Sequence, residues 1–270
     1  MSTKETEVWP NAPLALVAVE ARFPEATSGP LRPPVQRALR DVLGGDWVLE
    51  GVKQETMQIA VGASGVLPQA VKVENLTRLT IRDRTQAITV RPDSVTIEAA
   101  RYPGYREFRE VLRAAFDAVE RVLEPDGMTR LGVRYIDEIR VPDSGDLGLW
   151  DGWINSALLA PRAEGLTVKG WTSAVQYETG EDRRLVLRYG PTEGPVVDPS
   201  GPLRRPQPPP PGGAFVLDFD SFWHPSGIPT FSSEDLLNAC DGLRDPVRRL
   251  FDQLISQRLI DEVFRKESAR

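Results

Sequence analysis

In 270 residues there is one cysteine, Cys240, and one histidine, His224. A lone cysteine excludes an intramolecular disulfide, and with a lone histidine it leaves metal chemistry poorly supported. Thiol catalysis has no paired Cys and His to draw on, and no GxSxG elbow supplies a serine instead. His224 stands in Trp-His-Pro and reads as a satisfied loop residue. Phosphate-cradling GxxxxGK[ST] and GxGxxG runs are missing as well, and the glycines at 44, 45, 212 and 213 fit turns. No stretch approaches the roughly 18 apolar residues of a membrane span. The start, MSTKETEVWP, lacks the apolar segment of a signal peptide, so a reducing cytoplasm is the expected location. Cys240 follows Leu236 and Leu237 at helical spacing, which predicts a small buried apolar residue rather than a nucleophile. No cofactor and no catalytic residue is expected from these motifs.

What is present is ordinary for a globular chain: 40% hydrophobic and 27% charged residues. The net charge of -6 and the pI near 5.1 disfavour nucleic acid as a partner. The basic residues are nearly all arginine, a usage that suits bidentate ion pairing and that a GC-rich coding bias also produces.

Periodicity supplies the architecture. Ala15, Val17, Val19, Ala21 and Phe23 alternate with Leu14, Leu16, Glu20 and Arg22, a strand pattern. A short helix is expected from about Pro34 to Leu43, then strands near Trp47 to Val61, Leu76 to Arg82, Ala87 to Arg91 and Ser94 to Ala99. YREFREVLRAAFDAVERVL places Tyr105, Phe108, Leu112, Phe116, Val119 and Leu123 on one helical stripe, closed by Pro125 and Gly127. The segment from Met128 to Pro142 reads as one long strand. A short helix is expected around Trp150 to Leu159, and strands near Thr167 to Glu178, Arg184 to Tyr189 and AFVLDFDSFW. Two closing helices are expected, SSEDLLNACDGL with a Ser232/Asp235 cap and a second restarting at Asp245-Pro246.

These elements predict an α+β fold with curved antiparallel sheets and long helices on one face. The halves 1–126 and 127–270 read β-α-β-β-β-β-α and β-α-β-β-β-α, an order that suggests internal duplication and matches the TATA-box-binding-protein-like architecture. A proline-rich insertion at 203–213 interrupts the second half. The run from Leu203 to Gly213, which contains Pro206 to Pro211, predicts a stiff, exposed polyproline excursion open to partner recognition or simply tolerated at the surface.

Several segments carry a family resemblance: the Asn11-Ala12-Pro13-Leu14 entry to the strand with Glu20, Arg22, Phe23 and Pro24; YPGYREF; TRLGVRYIDEI; FVLDFD; and RRLFDQLISQRLIDEVF. In the same order over nearly the whole chain, they resemble the signature segments of a bacterial family catalogued as sporadically distributed and of uncharacterised function. The resemblance implies no catalytic residues. It does imply a short polar side chain at Asp137, whose place in that family usually looks like Asn.

Asp137 stands on the apolar face of its strand among Leu131, Val133, Tyr135, Ile139 and Val141. A position that accepts Asn serves structure better than acid-base chemistry, because an amide is no general base. A buried, ionised Asp137 would need an arginine or backbone N–H beside it. The candidate binding residues lie on polar strand faces: Glu20, Arg22, Arg134, Glu138, Asp218 and Asp220. Cross-strand ion pairing explains them, and an all-carboxylate metal site at Asp218 and Asp220 is the weaker reading. Trp150, Trp153, Trp171, Phe222 and Trp223 cluster in the second half, for core packing or for an interface.

The preferred reading is a non-enzymatic binding or assembly module that engages a protein partner or itself, in an accessory or defence system. The alternative is a small-molecule-binding protein or enzyme with a cleft on the polar sheet face.

Overall fold

Nine antiparallel strands form one sheet in the order β2-β3-β4-β5-β1-β6-β9-β8-β7. The computed structural model describes residues 9–25, 33–62, 65–142, 150–197, 201–207 and 212–266. The strands are β1 (Leu14–Arg22), β2 (Trp47–Gly62), β3 (Gly65–Ile81), β4 (Gln86–Arg91), β5 (Ser94–Ala99), β6 (Arg130–Ile139), β7 (Ser173–Gly180), β8 (Arg183–Glu193) and β9 (Gly213–Trp223). Helices α1 (Pro33–Leu43), α2 (Tyr105–Leu123) and α3 (Ser233–Leu254) complete an α+β fold. Strands β1 and β6 meet at the centre, with Val19 opposite Val133 and Val17 opposite Tyr135. From there the sheet runs outward through β5, β4, β3 and β2 on one side, and through β9, β8 and β7 on the other.

Alternation sends one side chain in two to each face of the sheet. Val17, Val19, Ile97, Val133, Leu187, Leu217 and Phe219 pack against Phe108, Leu112 and Phe116 of α2 and Leu236, Leu237, Cys240 and Leu243 of α3, all of them buried. The lone thiol is thus a core residue, and burial raises its pKa. A polar clamp joins the two long helices. Arg109 holds Asp241 through Nε and Nη2, Tyr105 donates to the same carboxylate, and the Arg244 guanidinium lies 4.3 Å from the Tyr105 ring centroid.

The expected restart at Pro246 is overturned, because α3 runs through it. Proline removes one N–H and crowds the carbonyl four residues back, a cost of ~3 kcal/mol in an isolated helix. That carbonyl belongs to Gly242, and the buried Leu243 and Val247 anchor the helix on either side. The true break comes at Ile255, which is extended, and Ser256 Oγ then caps a new turn by accepting the Leu259 N–H at 3.1 Å. At the front of α3, Ser232 Oγ accepts the Asp235 N–H as the capping signal requires. The short helix expected near Trp150 is instead an isolated bridge from Asp151 to Ile154 and a single 3-10 turn at Ser156–Leu158. Strand β3 begins well before Leu76, since the β2–β3 ribbon stays paired from Trp47 with Ile81 out to Gly62 with Gly65. Among the described residues no helix is long and apolar enough to cross a membrane.

Gly190 marks where β8 passes under the aromatic cluster. Its φ is +154°, and a Cβ there would stand 2.3 Å from the Trp171 carbonyl oxygen. Only glycine lets the two backbones approach so closely. Trp171 and Trp150 then pack on Phe215, with ring centroids 6.1 and 5.2 Å away, so these tryptophans serve the core.

Candidate functional site: the helix-free face of the sheet

The face opposite the helices gathers most of the residues singled out in the sequence. Arg134 donates through Nε and Nη2 to the two carboxylate oxygens of Asp218, at 2.7 and 2.8 Å. Its direct partner in register is Asp220, so this bidentate pair is a diagonal one. Asp218 hydrogen bonding raises the pKa of the Arg134 guanidinium further. Arg188, opposite Asp218 on β8, adds a third cationic contact at 3.8 Å.

A second set lies one step along the strands. Arg22 and Arg130 face each other across β1 and β6, a like-charge pairing that isolated strands would resist. Both turn to Glu20, whose Oε2 is 2.8 Å from Arg22 Nε and 3.1 Å from Arg130 Nη1. Arg130 also reaches Asp220 at 3.5 Å and lies 5.0 Å from the Phe222 ring centroid. Gly132 makes this possible: a Cβ there would stand 2.6 Å from Arg130 Nη1. The network therefore spans β1, β6, β9 and β8, and each of its three carboxylates is held by arginine.

Glu138 faces the same side but behaves differently. Its side chain is 0% exposed, and it accepts from Arg140 Nε at 2.7 Å, Arg205 Nη1 at 2.8 Å and the Val196 N–H at 3.3 Å. Its cover is the β8–β9 connection, whose described residues Val196, Leu203 and Arg205 lie back over the sheet. Leu203 is buried in that connection beside Ala87, Ala100 and Leu16, and the Arg204 N–H donates to the Arg84 carbonyl at 2.7 Å. The connection is thus a strap, rooted in β8 and β9 and docked on β1 and β4. The expectation of an exposed excursion fails at Leu203, which is buried, and is met at Arg204, Pro206 and Gln207, which are exposed, while 208–211, most of the proline run, lie outside the described residues.

Asp137, on the helix side, sits opposite Leu14 at a register shift in β1 and opposite Leu217 of β9. No hydrogen-bond donor reaches its carboxylate among the described residues, so the condition under which an arginine or N–H partner was required, an ionised carboxylate, does not hold near pH 7. Burial alone pushes its pKa up to about 8, so the group is carried neutral near pH 7. It is remote from the ion-pair face, across the thickness of the strand.

Arg188 and Arg205 complete these networks without having stood out in the sequence, whereas Arg130 falls by alternation on the polar face that Arg134 and Glu138 share. Arg188 had the same usable signal, since it falls on the even-parity polar side of its strand. Arg205 had none, because nothing local shows where a loop returns. Among the described residues no cluster of three or more His, Cys, Asp or Glu side chains could hold a metal ion.

No family model matches this chain, and no curated protein matches it.

Proposed function

We propose that the protein is a non-enzymatic binding module that presents the helix-free sheet face, from β1 to β8, to a protein partner. The observation that supports this reading is the saturation of that face by ion pairs. Glu20, Asp218 and Asp220 are each held by arginine, which fixes the charges in place and leaves none of those carboxylates free to move a proton. The cations stay accessible: the side chains of Arg22, Arg134 and Arg188 are 55%, 48% and 48% exposed, with guanidinium donors toward solvent. Arginine held flat by a neighbouring carboxylate loses little entropy on binding, and it is enriched at protein interfaces.

The test is capture of partners from host lysate by wild type, Arg134→Glu and Arg134→Lys, with circular dichroism confirming the fold of each. The expected outcome is a defined protein species retained by wild type, reduced about tenfold or more by Arg134→Glu, and partly kept by Arg134→Lys. Equal retention by all three chains would remove this face from the partner's footprint. A small molecule retained by wild type and lost by Arg134→Glu would favour a ligand site on the same face instead.

A further inference from the structure

We infer that β7 is a homodimer interface, at which two copies of the chain join their sheets by antiparallel pairing of β7 with β7 about a two-fold axis through Gln176. Three observations carry this.

The first is that β7 is an unguarded edge. It is the last strand of the sheet and pairs only with β8. Among the described residues no backbone hydrogen bond outside that ladder involves Ser173–Gly180. Alternate residues of an edge strand turn N–H and C=O outward, and proteins that stay monomeric blunt such edges with lysine, proline or an inward charge. The segment SAVQYETG has no lysine and no proline, and its one irregularity, between Glu178 and Gly180, comes at the very end.

The second is an apolar pair that the helices do not reach. Val175 and Tyr177 lie on the helix side of the sheet, opposite Leu187 and Leu185, which are fully buried. Yet Val175 is 36% and Tyr177 37% exposed, because the helix layer stops short of this strand.

The third is self-complementarity. A two-fold axis at Gln176 sets Val175 against Tyr177 of the second copy and Tyr177 against its Val175, a β-branched and aromatic pair formed twice. Ser173 and Thr179 then face each other at the ends. On the other side of the sheet, Glu178 of the second copy falls opposite Ala174, and Ala174 is itself opposite Arg188. A small residue lies between the carboxylate and a half-exposed guanidinium, so the pair can close over it, again twice. No like charges meet in this register.

Sedimentation velocity on the full chain over a concentration series tests the interface, together with two variants at exposed positions. Wild type is expected to shift from the 30.0 kDa monomer to twice that mass. Tyr177→Lys is expected to weaken the dimer about tenfold or more, with circular dichroism unchanged. Gln176→Cys reads the register directly: two thiols on the axis fall within disulfide reach, and the native Cys240 is buried and cannot compete. Oxidation is expected to yield a covalent dimer from Gln176→Cys and none from Ala174→Cys, whose thiols would stand ~13 Å apart. A wild type that stays monomeric throughout, a dimer indifferent to Tyr177→Lys, or equal cross-linking at both positions overturns the proposal. Because these readouts use the purified chain alone, they fail or succeed independently of the partner proposed for the helix-free face.

Discussion

Asp137 and Glu138 are neighbours on β6 and both are buried, but the strand turns them to opposite faces with opposite consequences. Asp137 enters the helix-packed core, where none of the described residues donates to it, and burial raises its pKa so that the carboxyl is carried protonated near pH 7. Glu138 enters the other face, where Arg140, Arg205 and a backbone N–H surround it. The difference shows how the two layers are held. The helix side is assembled by apolar area, and a polar atom there must give up its charge. The other side is held largely by charge, and the strap that covers Glu138 brings an arginine to the carboxylate it takes out of water, with Leu203 as its apolar foot.

A large loss at any pH where the carboxylate is ionised is expected from removing Glu138. Glu138→Ala leaves Arg140 and Arg205 with no carboxylate beneath the strap, and loss of one member of a buried pair costs about 3–5 kcal/mol. Urea denaturation would measure it, and limited proteolysis should cut first within the strap. Glu138→Gln, which keeps the size and part of the hydrogen bonding, should lose less.

Asp137→Asn sharpens the contrast from the other side. Below about pH 4 the carboxyl is protonated in folded and unfolded chains alike and costs nothing. From there up to about 8 only the unfolded chain ionises, so each pH unit lowers stability by up to ~1.4 kcal/mol, and above 8 the penalty is constant. The variant should therefore match wild type near pH 4 and exceed it by a margin that grows toward pH 8. Thermal melts of both chains across that range would show the divergence, and parallel curves would mean that Asp137 finds a donor.

A smaller change is expected from Leu203→Ala, which removes the apolar foot of the strap from Leu16, Ala87 and Ala100. The cluster is small, so the loss should be about 2 kcal/mol, at the low end for a buried leucine. Hydrogen exchange should quicken at the Arg204 N–H, whose partner is the Arg84 carbonyl. Arg134→Ala should cost least, under about 1 kcal/mol, since half of that side chain is in water. Such a result would separate its stability role from any role in binding.

Much of this was legible from spacing. The α2 boundaries follow from the apolar stripe between Tyr105 and Leu123, and the faces of β1, β6 and β9 follow from alternation, which is why Glu20, Arg134, Asp218 and Asp220 come together as read. What spacing does not contain is contact across long separations. The burial of Glu138 was not legible because its cover includes Arg205, sixty-odd residues on, in a loop with no periodic signal. Pro246 looked like a boundary because the local rule is sound for an unsupported helix. Its neighbours Leu243 and Val247 override the rule through packing that only the folded chain displays. Gly132 looked unremarkable, since its importance is the space it leaves for Arg130.

We propose that this fold assembles with proteins rather than working on a small substrate, and native mass spectrometry of the untagged protein, isolated gently from its own host, separates the two. The expected result is a dimer of the 30.0 kDa chain or a defined heteromeric mass containing it. A monomer carrying one stoichiometric small-molecule adduct would overturn the proposal.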